Sequence, residues 1–163
     1  MSLLVRKIEK AKWLQNDILS GEDISADAIT NCMKTTGNTL STWLIRTLDE
    51  VPEAVLAIVS SHQHIDTIDV VCLDRSLLEG QGINLHSTPG KTPVRDLVDR
   101  HIDISNLAYK SLGILANHIV NGVKEEKAVR YTKGMIKRLL NSAINEGRLQ
   151  EIDLHESVRS KLK

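Results

Sequence analysis

Asp74, His86 and Lys91 carry the side chains that phosphate chemistry uses: a carboxylate and an imidazole to move a proton, and an ammonium to neutralise charge. Asp74 closes the apolar run Val70-Val71-Cys72-Leu73, and in α/β proteins sites gather at the carboxyl ends of parallel strands. The same aspartate is a good cap for a turn at Arg75-Ser76-Leu77-Leu78, a role that needs no ligand. Lys91 stands in Pro89-Gly90-Lys91-Thr92. Gly-Lys-Thr occurs in phosphate-binding P-loops, but those need another glycine five positions before the first, where this chain has Leu85. A weaker anion site survives, made of Lys91 and Thr92 beside the free amides of a helix opening at Pro93. A Pro-Gly turn, a Thr cap and a Pro in the first helical turn account for the same residues structurally.

His62 and His64 lie two apart, with Cys72 and His86 further on. A zinc site needs three or four ligands, mostly in close pairs. Only one such pair is present, where a helix should end and an imidazole suits the negative end of the helix dipole. No metal site and no cofactor is expected. Nucleophilic catalysis finds no support either. No Gly-x-Ser-x-Gly occurs, and Cys32 falls mid-helix among apolar neighbours, where a thiol is usually inert.

Charge supplies the remaining candidate. The 21 basic and 21 acidic side chains cancel over the whole chain. Divided at residue 100 they do not: residues 1–100 hold 10 basic and 14 acidic groups, net −4, and residues 101–163 hold 11 and 7, net +4. Arg130, Lys133 and Lys137 recur at helical spacing with Arg138 beside them, opposite an apolar stripe of Ile136, Leu139, Leu140, Ala143 and Ile144. Such a basic face could lie on nucleic-acid phosphates or on a protein partner. It is also what any solvated surface helix shows.

The elements that must position these residues read as a small α+β domain spanning 1–163, with an all-α bundle as the alternative. Ile68–Leu73 is a β-branched run too short for a helix, and 39–45 is a second strand candidate. Residues 3–8 read as a strand or as the start of a helix reaching Leu19 along Leu4, Ile8, Ala11, Leu14 and Ile18. Helix starts are signalled by Ile24-Ser25, Ile104-Ser105 and Tyr131-Thr132. Each sets an apolar residue and a hydroxyl cap before an apolar partner, which is Ile29, Tyr109 or Ile136. Gly37, Gly122 and Gly147 are the expected stops. Pro52 and Thr92-Pro93 open two further helices, and Asp153 with Glu156 opens a terminal one. These starts make residues 105–146 a helical C-terminal half. Between strand and helices, 79–92 reads as an exposed Gly-rich loop, and long loops of this kind tend to be functional.

Composition narrows the class. The chain has 163 residues, enough to bury a core, and its 41% hydrophobic content is that of a globular protein. No apolar run approaches the roughly 20 residues a membrane helix needs. Arg6 and Lys7 are not followed by an apolar stretch, so no secretory leader is expected. Two cysteines make no disulfide scaffold, and a cytoplasmic location is the natural expectation. With no Phe, two Trp and two Tyr, an aromatic platform for stacking single-stranded bases is not available. The leading expectation is a small binding or regulatory protein acting through a protein partner or by self-association. A nucleic-acid-binding accessory protein and an enzyme on a phosphate-containing small molecule are the alternatives.

Overall fold

A computed structural model of the chain describes residues 2–14 and 23–162. Six strands form one antiparallel sheet in the order β4-β5-β2-β1-β3-β6. They are β1 (Leu3–Ile8), β2 (Leu40–Ile45), β3 (Ile68–Asp74), β4 (Asn84–Ser87), β5 (His101–Ser105) and β6 (Ala128–Tyr131). The helices are α1 (Ala26–Cys32), α2 (Val51–Val59), α3 (Arg75–Gly80), α4 (Tyr109–Lys124), α5 (Lys133–Asn145) and α6 (Glu156–Arg159). The protein is α+β, as expected, and not an all-α bundle.

Helices cover both faces of the sheet, and the side-chain alternation of each strand divides the core in two. Val5, Trp43, Ile45, Val70 and Cys72 pack with α2, α5 and α6 on one face. Leu4, Val71, Leu73, Ile102 and Ile104 pack with α1 and α4 on the other. β3 lies between β1 and β6, with Val70, Val71, Cys72 and Leu73 each at most 2% exposed, which explains its unbroken apolar sequence. All three expected strands form, and residues 3–8 are strand rather than helix. Residues 15–19 of the alternative helix lie outside the described residues.

Two helix starts follow their sequence signals. Ser25 accepts a hydrogen bond from the Ala28 amide and Thr132 from the Met135 amide. Pro52 sits in the first turn of α2. α5 ends with Gly147 at φ +73, where the Gly147 and Arg148 amides donate to the Ile144 and Ala143 carbonyls and close a Schellman turn.

Other starts are corrected. Ile104 and Ser105 belong to β5, Asn106 then takes φ +54, and α4 begins only at Tyr109, whose side chain is 95% exposed and staples nothing. Gly122 does not stop α4 but lies inside it, where a Cβ would come within 2.7 Å of Val71. It lets the helix approach β3. Residues 105–146 are not wholly helical, because β6 intervenes between α4 and α5. Nor is 79–92 all loop: it holds the end of α3 and the edge strand β4. After Thr92-Pro93 the chain makes a 3-10 turn over Arg95–Arg100. His155, not Asp153, caps the terminal helix.

Candidate functional site

A groove of about 520 Å³ opens where α2 ends and no longer covers the sheet. Its floor is built by strand alternation. Lys7 comes from β1, Ser41 and Trp43 from β2, and His101 and Asp103 from β5, while the intervening residues Leu40, Ile102 and Ile104 point into the opposite core. Antiparallel register sets Trp43 directly across from His101 and Ser41 across from Asp103. The walls are Ile58, Ser61 and His62 at the end of α2, and Thr88, Pro89 and Lys91 of the loop after β4. Gly90 makes that wall possible. A Cβ there would lie 2.4 Å from the Trp43 ring and 2.9 Å from His101 Cβ, so only glycine lets the loop rest on the floor.

At one end His101, Thr88 and Asp103 are wired together. The Thr88 hydroxyl donates to Asp103 Oδ2 at 2.8 Å, and the same oxygen lies 2.8 Å from His101 Nδ1. The one hydroxyl proton goes to the carboxylate, so Thr88 Oγ1 accepts from Nδ1–H, and the unprotonated form of the ring carries its lone pair on Nε2. Nε2 and Asp103 Oδ1 then face each other at 4.0 Å, beyond a direct hydrogen bond. The His101 ring meets Trp43 edge-on, with centroids 5.1 Å apart.

The other end is cationic. His62 and Lys91 also line the adjoining hollow, which continues to Thr92, Pro93, Asp153 and His155. Burial, and then the Lys7 ammonium close by, hold the His62 imidazole below its ordinary pKa and therefore neutral at pH 7. Arg6 at the groove edge is committed to structure, its guanidinium donating to the Ser41 and Cys32 carbonyls at 2.9 and 2.8 Å. The exposed ammonium groups of Lys7 and Lys91 are in no ion pair among the described residues.

The residues singled out from sequence do not all meet here. Lys91 lines the groove, and Thr92 the hollow beside it, where its hydroxyl bonds Ser60 at 3.0 Å and accepts from the Val94 amide. His86 is on the edge strand β4, in register with Asp103 and exposed, but not part of the lining. Asp74 lies at the Leu3 end of the sheet and accepts the Leu77 amide at 3.0 Å as the cap of α3. It shares no lining with Lys91. Among the described residues, no group of three or more His, Cys, Asp and Glu could hold a metal ion.

The basic run is divided by the fold. Arg130 lies in β6 rather than on a helix, and alternation turns it to the α4 face, where it forms a two-pronged pair with Asp69 at 2.8 and 3.0 Å. Lys133, Lys137 and Arg138 lie on α5, which packs on the opposite face, and Lys133 pairs with Asp66 at 3.4 Å. The helical spacing from Arg130 to Lys133 is therefore coincidental, since α5 begins at Lys133.

Sequence reasoning missed Lys7, Ser41, Thr88, His101 and Asp103. One signal was available: His101-Ile102-Asp103-Ile104-Ser105 alternates polar and apolar without exception, the pattern of a strand with one wet face. Comparison of the chain with protein-family models, with curated proteins and with solved structures gives no match.

Proposed function

We propose that this chain binds a phosphate-bearing anion in the groove over β1, β2 and β5. The observation that carries the reading is the meeting of Lys7 and Lys91, from a strand and a distant loop, in one concave site whose lining holds a single acid, Asp103. Concave sites lined by one sign of charge focus the field and draw in counter-charged ligands. The Ser41 hydroxyl adds a hydrogen-bonding group to the lining. Inorganic phosphate should bind at low ionic strength and weaken as sodium chloride is added. The double variant Lys7→Gln, Lys91→Gln should lose that binding while keeping its thermal unfolding transition. Unchanged phosphate affinity in a folded double variant would end this reading.

A second reading, contact with a protein partner or a second copy, is favoured by a separate observation. Among the described residues β6 is a sheet edge, and beside it Leu48, Val51, Pro52, Val129 and Tyr131 line a hollow rimmed by Asp49, Glu125, Glu126 and Lys127, with Leu48 55% exposed. Sedimentation across a concentration series tests the self-association form of it, and association that survives Val129→Lys would place the contact elsewhere. A cytoplasmic setting fits both readings. Cys32 and Cys72 are buried and unpaired, and burial pushes the Cys72 thiol up to about 11, so it stays protonated.

A further inference from the structure

Resting on the anion reading above, we infer that the ligand is a phosphate monoester carrying a vicinal diol, of the sugar-phosphate class, with its phosphate between Lys7 and Lys91 and its diol on His101 and Asp103. The groove has two chemically different ends. His62, Ser61 and Lys91 lie where it runs into the neighbouring hollow, which Asp153 also lines, with Lys7 and Asp66 beside His62; Asp66 is paired with Lys133, and Lys7 and Lys91 supply the positive charge of the groove at this end. Ser41, Thr88, His101 and Asp103 line the groove but not that hollow. A bare phosphate uses only the first end.

The second end selects for donors. Asp103 Oδ2 already accepts from Thr88, and His101 Nδ1 already donates to the same hydroxyl. What remains is one carboxylate oxygen and the ring Nε2, 4.0 Å apart, and with the ring in its unprotonated form both are acceptors. A second anionic group would be repelled by Asp103. A single hydroxyl donates one proton and satisfies one of the two acceptors. Two hydroxyls on adjacent carbons satisfy both, one each. The His101 side chain is only 10% and the Asp103 side chain 20% exposed, so both are fixed by the fold before any ligand arrives. A site built to receive hydroxyl protons discriminates strongly against an analogue that lacks one.

Calorimetric titration of the intact protein with inorganic phosphate, ribose 5-phosphate and 2-deoxyribose 5-phosphate tests this. Ribose 5-phosphate should bind at least tenfold tighter than phosphate, and the 2-deoxy compound should lose most of that gain. In Asp103→Asn the gap between ribose 5-phosphate and its 2-deoxy analogue should narrow. The comparison of the two sugars on the unmodified protein needs no variant to fold. Equal affinities for phosphate and ribose 5-phosphate, or for the two sugars, would overturn the diol assignment and leave the anion reading standing. No binding of any of the three would remove the anion reading and this inference with it.

Discussion

At the scale of single residues, the groove depends on how a few side chains and one glycine are held. Gly90→Ala forces a Cβ into Trp43 and His101 and should cost about 1–3 kcal/mol in urea unfolding, as overpacking does. Gly80→Ala is its control. Nothing lies within 4 Å of the new methyl group and the backbone is ordinary, so stability should hold or rise by about 0.4–1 kcal/mol. Equal effects at the two positions would contradict the packing of the 88–91 loop on the floor. His62 gives a pH dependence with a definite sign. Its folded pKa is depressed, so it is neutral at pH 7 and gains charge only as pH falls below the ordinary imidazole value. Sulfate, whose charge is constant over this range, should therefore bind tighter at acid pH, and His62→Gln should flatten that rise. The same depression means that the neutral ring stabilises the fold above the unfolded pKa, and that this contribution is lost as pH drops towards the folded value. Asp74 separates cap from catalyst: Asp74→Asn keeps an acceptor for the Leu77 amide and should change stability little, whereas Asp74→Ala should cost about 1 kcal/mol.

At the scale of elements, strands and helices were legible where local chemistry alone decides them. Ser25 and Thr132 cap because a hydroxyl in extended backbone reaches the next turn whatever the tertiary structure. Ile104-Ser105 has the same local letters, yet β2 and β4 on either side claim it as a strand. Tertiary pairing overrides a cap signal, and β4 and β6, four residues each, have too little sequence to show a period at all. The site was unreadable for the same reason. Lys7, Ser41 and Asp103 become neighbours only through register. Arg148 shows what else joins the elements. From the turn after α5 it reaches Glu53 of α2 at 2.5 Å and Asp96 of the 3-10 turn at 2.6 Å. Arg148→Met should cost about 2 kcal/mol, since it removes charged hydrogen bonds and leaves two carboxylates facing one another. Those pairs also set the acid limb. Hydrogen bonds from Arg148 and from Arg130 hold the Asp96 and Asp69 carboxyls below their ordinary range. Their stabilisation is complete above the unfolded carboxylate pKa and is lost as pH falls through the folded values. Urea midpoints should drop below about pH 4, and Asp69→Asn should make that drop shallower.

At the scale of the whole molecule, the division into −4 and +4 takes on an internal meaning. The basic C-terminal part pairs with the acidic N-terminal part inside the fold: Arg130 with Asp69, Lys133 with Asp66, and Arg148 with Glu53 and Asp96. The interleaved strand order does the same with the backbone, since β5 lies between β4 and β2 while β6 pairs with β3. Part of the opposed charge is thus paired within the chain, while Lys7 and Lys91, in no ion pair among the described residues, share the lining of one groove. No described helix is long and apolar enough to cross a membrane. The central claim is most directly tested by a phosphate titration followed through backbone amide NMR shifts. Saturable shifts are expected at Lys7, His62 and Lys91, with Lys133, Lys137 and Arg138 unmoved. Saturable shifts confined to α5, or none anywhere, would contradict it.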